Sequence, residues 1–386
     1  GGGGGGGKAE AFGSEEAKAA VRHIVRQVIS VAQEYFPNTA LHHGLGYEPL
    51  VLGNNDFARD YGLPLTDPQD GANPWLSFLA AKGSPLFLSD EHSSGSGSAT
   101  RKEWSPLDDA TTWSRGGYGM RRLSESIYLI SLNTIVYSSN YPWDDQRDDD
   151  PFGQFAWLER ALAWLRSQQH SGSGGNAPKA LLTGHIPPTL DNFHFKPLWS
   201  ENFAERYTRL AAAYDDVISG QLFAHTHCDT FRVLPSANVS HPLFISSALS
   251  PVYENNPSFR VWKYRGSELL DYTVHAADLD PAGPQRGLAF HPLYSAMSDY
   301  GLSTLSSAAE WREKVADRLA HDDEVWGQYV QRLWQRPSGA KVEAALRDGG
   351  FRARSVCSIT HVLRTDFEAC VASFGGGGVD GHPANA

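Results

Sequence analysis

Ala180-Leu181-Leu182-Thr183-Gly184-His185-Ile186-Pro187-Pro188 is the stretch from which the fold reads. An apolar run with strand character ends in a glycine, and the glycine hands the chain to a histidine. Gly184 lets the backbone turn sharply at the strand end. Pro187 and Pro188 stiffen the exit and fix where His185 points. The same grammar recurs twice. Pro49-Leu50-Val51-Leu52 runs into Gly53-Asn54-Asn55-Asp56, and Gln221-Leu222-Phe223 runs into Ala224-His225-Thr226-His227. An α/β sheet presents its ligands at such strand ends. Neutral imidazole and amide oxygen suit borderline divalent metals such as zinc, iron or manganese. One amide, Asn54, and three imidazoles, His185, His225 and His227, therefore predict a metal held against a substrate. Phosphate-ester hydrolysis is a common use of such a site.

Each residue also has a plainer reading. His225 and His227 are two apart, and in an extended chain such residues point the same way. A lone pair of this kind is more often incidental. The buried strand before it, and Asp229 close enough to accept from one ring, strengthen the metal reading. His185 alone reads equally well as a core histidine beside a loop. Asn54 alone reads as a turn residue, since Gly-Asn-Asn-Asp is good turn chemistry. The three segments together carry the expectation.

The surrounding chain alternates strand and helix. Residues 15–35 read as an amphipathic helix with Val21, Ile24, Val25, Val28, Ile29 and Ala32 at three- and four-residue steps. Residues 57–118 read as irregular, with a short helix opening at Asn73-Pro74-Trp75-Leu76 and a Ser/Gly loop at 93–98. Residues 126–133 read as a central strand and Phe155 to Gln169 as a helix, followed by a flexible loop at 171–175. Residues 201–218 read as a further helix. Leu243-Phe244-Ile245, Phe259-Arg260-Val261-Trp262 and residues 270–274 read as consecutive strands. This order predicts an α/β sandwich. The domain reading is a Gly-rich disordered start at 1–13, a main domain at 14–284, a helical subdomain at 285–373 and a disordered tail from 374 to 386.

The chain has 386 residues, 41% hydrophobic and 20% charged, enough for a full core. A net charge of −11 argues against a general nucleic-acid binder. No apolar run approaches the roughly 18 residues of a membrane span, and no signal peptide is seen. The seven opening glycines leave open that the chain is a fragment. The acidic positions between Asp144 and Asp150 lack the glycine and distal glutamate of an EF-hand and read as a solvated loop. Cys357 and Cys370 lie thirteen apart, either as a disulfide suited to a secreted or lysosomal compartment or as two buried thiols. Cys228 reads as a small packing residue. Asn238-Val239-Ser240 is a glycosylation sequon.

On these motifs the chain resembles the calcineurin-like metallophosphoesterases, and within them the acid sphingomyelinase-like phosphodiesterases. The resemblance spans nearly all of residues 15–373. It rests on Gly184-His185-Ile186-Pro187-Pro188 and on Gln221-Leu222-Phe223-Ala224-His225-Thr226-His227-Cys228-Asp229. Residues 130–133, Ser250-Pro251-Val252-Tyr253 and the run from Asn256 to Val261 support it. It implies an α-β-β-α sandwich with a C-terminal helical subdomain that carries Cys357 and Cys370. It also implies a binuclear site, with zinc the expected metal. Asn54, His185 and His225 would bind one ion and His227 the other.

The chain departs from the family in three places. Nothing before Gly53 matches the Asp-x-His and Gly-Asp segments that complete the family's metal site. Asn55 stands where the family has a leaving-group histidine, and an amide donates a hydrogen bond but not a proton. Ala224 replaces a glycine. The expectation is a metal-dependent phosphodiesterase acting on a small-molecule or lipid phosphodiester. The chain is expected to be monomeric, secreted or lysosomal/vacuolar, with peripheral membrane contact and no nucleic-acid partner. The alternatives are an endopolyphosphatase-like hydrolase, suggested by Asn55, and a catalytically impaired fragment. A further alternative is an interaction module built on Trp311, Trp326 and Trp334.

Overall fold

The structure is a computed structural model that describes residues 51–57, 59–65, 73, 75–76, 106, 111–143, 147–171, 177–234, 239–279, 289–336 and 340–374, with scattered positions between 16 and 27. The helix expected over 15–35, most of the Ser/Gly loops, Asn238 and the tail from 375 lie outside the described residues or nearly so. The chain gathers into two compact units. The first comprises residues 1–186 and 216–219, the second residues 187–215 and 220–386. The boundary expected at 284/285 falls inside the second unit.

In the first unit, helix α1 (Thr111–Gly116) leads to β1 (Gly119–Arg122), β2 (Ile127–Leu132), helix α2 (Gln154–Ser171) and β3 (Lys179–Gly184). β1 pairs antiparallel with β2, and β2 pairs parallel with β3 from Ile127↔Lys179 to Leu132↔Gly184. Every residue of β2 is buried. A strand covered on both faces reads as a continuous apolar run, which is why 126–133 was legible. Gly117 has φ +72°, and a Cβ there would meet Leu52 Cδ1 at 2.4 Å, so only glycine lets α1 turn into β1 against the segment before Asn54. Asn133, at the end of β2, is fully buried. Its backbone N–H donates to Gln154 Oε1 at 2.8 Å, and its amide donates to the Gly116 carbonyl at 2.8 Å.

The second unit contains helix α3 (Glu201–Ala213), β4 (Ile218–Phe223, whose first two residues belong to the first unit), β5 (Thr230–Arg232) and β6 (Leu243–Ile245). β4 pairs parallel with β6, and β6 antiparallel with β5. A second sheet follows, β7 (Ser258–Arg265), β8 (Glu268–Ala276) and β9 (His291–Ser295), antiparallel with β8 in the middle. Helical turns occupy much of 296–319. Then come α4 (Asp323–Leu333), α5 (Ala340–Arg347), α6 (Gly349–Thr360) and α7 (Arg364–Ser373). Phe231, Phe244 and Trp311 pack ring on ring, with centroids 4.4 and 5.6 Å from Trp311. Trp311, Trp326 and Trp334 are all buried, so they serve the core rather than an exposed recognition face.

The α/β class is as expected, and the strands named from sequence are present except the one before Gly53, where Val51 and Leu52 form no strand. Two further details differ. The helix expected over 201–218 stops at Ala213, and β4 has already begun at Ile218. Asp215 and Asp216 break the apolar period between them. The span read as helical from 285 opens with β9, where Pro292 and a five-residue length hide the strand pattern. The disulfide reading holds: Cys357 and Cys370 are bonded and join α6 to α7. Cys357 packs with Leu190, Phe195 and Phe367.

Candidate metal centre

In the first unit the strand-end logic brings two ligand atoms together. His185 Nε2 lies 2.9 Å from Asn54 Oδ1. Asn54 Nδ2 donates to Asp60 Oδ1 at 2.8 Å, which turns the amide so that its carbonyl faces the imidazole. The loop that carries Asn54 is closed by hydrogen bonds. Gly53 N–H donates to Asp56 Oδ2 at 2.7 Å, and Tyr61 N–H donates to the Asn54 carbonyl at 3.0 Å. A Cβ at Gly53 would make ordinary contacts, 3.5 Å from Asp56 Oδ2 and 3.6 Å from His185 Cε1, so the loop lies beside the His185 ring. Burial raises the Asp56 carboxyl above its ordinary value, against the Gly53 hydrogen bond. The chain after His185 is held by Thr134, whose hydroxyl accepts from Ile186 N–H at 2.8 Å. Asn55 is exposed beside the pair.

The second unit holds His225 and His227 differently. Both have left-handed backbone, φ +70° and +54°. Thr226 N–H donates to the Ala224 carbonyl at 2.8 Å, closing a three-residue turn around His225. The extended geometry expected for the His-x-His segment is therefore absent, and strand alternation does not apply to these rings. Two non-glycine residues at positive φ each cost about 1 kcal/mol or more, and such strain concentrates at functional sites. His227 Nδ1 and Thr226 Oγ1 are buried without a hydrogen-bond partner. Burial pulls the His227 imidazole below its ordinary value, against a weaker upward pull from the Ser250 backbone, which favours the neutral ligand form.

Asp229 does not orient an imidazole. Its carboxylate pairs with Arg260, both side chains being buried, and its backbone N–H donates to the Leu333 carbonyl at 2.9 Å. Arg260 sits 4.3 Å from the Tyr272 ring and 5.7 Å from the Trp262 ring. Burial pulls the guanidinium down, but Asp229 and the tyrosines raise it further, so Arg260 stays charged. Burial likewise pushes the Asp229 carboxyl up against the pull of Arg260. Asp229 thus anchors the base of the His225 turn through a partner 31 residues away, which sequence spacing does not reveal. Cys228 is free and buried, its thiol pushed up to about 12 by burial, as expected of a packing residue.

Among the described residues no group of three or more His, Cys, Asp or Glu side chains is gathered in a way that could hold a metal ion. The donor types nevertheless fit one. Asn54 Oδ1 and His185 Nε2 converge in the first unit, and an orphaned imidazole nitrogen waits on the strained turn of the second. Asp60, Thr134 and Arg260 are the positioning residues that sequence reasoning missed. None carries a local motif.

No protein-family model matches the chain. Its relatives are phosphoric diester hydrolases by name. It is 26% identical over 289 residues to sphingomyelinase phosphodiesterase D of Dictyostelium discoideum, covering 72% of this chain and 58% of that one. It is 25% identical over 376 residues to human acid sphingomyelinase-like phosphodiesterase 3b, covering 93% and 72%. It is 30% identical over 282 residues to human cyclic GMP-AMP phosphodiesterase SMPDL3A, covering 68% and 52%. A Staphylococcus aureus chain described as a 5′-nucleotidase is 12% identical and covers 47% of this chain and 29% of its own, with a TM-score of 0.22, too slight a likeness to bear on the fold. The chain is a relative of the acid sphingomyelinase-like phosphodiesterases. It spans 58% of the length of the Dictyostelium enzyme.

Proposed function

We propose that the protein is a metal-dependent phosphodiesterase, with zinc the ion its donor set suits best. The observation that carries this reading is the 2.9 Å approach of His185 Nε2 to Asn54 Oδ1, with Asp60 turning the amide. Asn54 and His185 would supply ligands in the first unit, and His225 and His227 in the second. A bound ion would generate a nucleophilic hydroxide from water and stabilise charge building on phosphorus. Asn55 would donate an amide hydrogen bond to the departing oxygen, leaving solvent to supply its proton. The loop at Gly53 lies beside the His185 ring, and Thr134 fixes the backbone that follows it.

The substrate proposed is a small-molecule or lipid phosphodiester, since the relatives differ in the ester their names specify but share the phosphodiester bond. The Cys357–Cys370 disulfide supports a secreted or lysosomal setting. Leu249 and Val252, 62% and 69% exposed, support peripheral contact with a membrane.

The test is hydrolysis of bis(p-nitrophenyl) phosphate by protein supplied with zinc or manganese. Turnover that disappears on chelation and returns with metal is the expected result. Turnover indifferent to exhaustive chelation, or none in the metal-supplied protein, overturns the reading.

A further inference from the structure

Beside His227 the second unit builds a cradle of aromatic rings. The Asp191 carboxylate accepts the backbone N–H groups of Phe193, His194, Phe195 and Lys196 at 2.7, 2.5, 3.2 and 3.0 Å, which fixes the loop that presents Phe193. Tyr253 meets His227 edge-on at 5.0 Å and lies 5.2 Å from Phe193. Trp334 is buried and backed by the Phe351 ring at 5.8 Å. Rings arranged in this way are how proteins bind quaternary ammonium groups.

Here the cradle already contains a cation. Lys341 Nζ is 4.5 Å from the Trp334 ring and 5.7 Å from the Phe193 ring, and it donates to the Tyr253 carbonyl. The frame around it is pinned. Asn256 N–H donates to the Trp334 carbonyl at 3.2 Å, and Asn256 Nδ2 donates to the Gln335 and Arg336 carbonyls at 2.9 and 3.2 Å. Gln335 and Arg336 are both left-handed, at φ +57° and +54°. The titratable groups acting on Lys341 are Cys228 and Glu254. Cys228 is a neutral thiol, and Glu254 is exposed to solvent.

We propose that Lys341 is a specificity-determining residue: its ammonium fills the aromatic cradle beside His227, excludes a choline-type headgroup and selects phosphodiesters that carry a further negative charge. This rests on the phosphodiesterase reading above. An intrinsic ammonium repels a second cation within a few ångströms and attracts an additional phosphate or carboxylate. Because the cradle is partly desolvated, one unit charge there is worth about tenfold or more in relative affinity.

The experiment has two arms. In the first, kcat/KM is compared for bis(p-nitrophenyl) phosphate and p-nitrophenyl phosphorylcholine in the wild type, Lys341→Met and Lys341→Arg. In the second, calorimetry compares binding of pyrophosphate and phosphocholine to the same three proteins. The expected result is that Lys341→Met shifts both ratios at least about tenfold toward the choline compound, while Lys341→Arg keeps them near wild type. Ratios that stay within about twofold across all three proteins overturn the proposal, as does wild-type protein binding phosphocholine more tightly than pyrophosphate. If Lys341→Met does not fold, the wild-type preference and the Lys341→Arg comparison still decide. Wild-type protein that hydrolyses neither ester with metal supplied defeats the phosphodiesterase reading instead, and the calorimetric arm then reads the cradle alone.

Discussion

The Asn54–His185 pair and the His225–His227 turn present the same kinds of ligand atom by opposite means. In the first unit Asn54 and His185 are themselves on ordinary backbone and are positioned by hydrogen bonds: Asp60 turns one amide, Thr134 and the Asp56–Gly53 bond fix the chain on either side, and the positive φ, +58°, falls on Tyr61, which closes the loop. In the second unit the backbone itself is forced. Two histidines stand at positive φ, and a buried ion pair at Asp229 ties down the residue that follows. Positioning by hydrogen bonds fails one partner at a time. Positioning by strain requires the surrounding fold to be stable enough to impose it.

That difference can be broken at either end. Arg260→Met should have the largest effect, because it strands a buried carboxylate under the strained turn. The expected loss is about 3–5 kcal/mol, read as a fall in Tm, and the double variant Arg260→Met/Asp229→Leu should recover much of it. A double variant no more stable than the single would mean that the pair is not what anchors the turn. His185→Ala should lower kcat/KM on bis(p-nitrophenyl) phosphate by more than about 100-fold with little change in Tm, since the pair sits on relaxed backbone. Asp60→Ala should lower it about tenfold by freeing the Asn54 amide to flip, and Asp60→Asn should not restore it fully. Near-wild-type activity in Asp60→Ala would show that the amide is oriented by something else. His225→Gly should abolish activity yet raise Tm slightly, by up to about 1 kcal/mol of relieved strain, whereas no substitution of Asn54 should stabilise.

The smallest effect concerns acid. Burial opposes the charge on Asp215, but the nearby His241 and two hydrogen bonds from Ser240 outweigh it and hold the carboxyl down to about 2. A carboxyl depressed in the folded state contributes stability above its unfolded value and loses it as pH falls toward about 2. Asp215→Asn should therefore be less stable than wild type at pH 6 and converge with it near pH 2. A constant gap between the two across that range would contradict the assignment.

The strand end at Gly184 was legible because an apolar run closed by glycine leaves few alternatives to a buried strand, whereas Val51 and Leu52 before Gly53 form no strand. β2 and β3 follow the same logic. The conformation of the His225 turn was not legible. Nothing in Ala-His-Thr-His announces positive φ, and a strand before it suggests extension after it. Asp229 was misread for a related reason. Its neighbour along the chain is His227, while its partner Arg260 arrives from β7. β5 and β9 were missed because three or five residues, one of them a proline in β9, are too few to show alternation. Cys357 and Cys370 gave spacing but not oxidation state, which came from the packing of α7 on α6. The ligand identities were readable one by one; how each is held depends on residues distant in the chain.

The covalent link between α6 and α7 has a practical corollary. The Phe195–Phe367 stack, with centroids 5.9 Å apart, brings the last helix onto the loop that carries Asp191 and Phe193. Material produced where thiols stay reduced would keep its strands yet lose a tether on that helix. Preparations from oxidising and reducing hosts should therefore differ in protease resistance near the carboxyl end, and the choice of expression host becomes part of any assay on this protein.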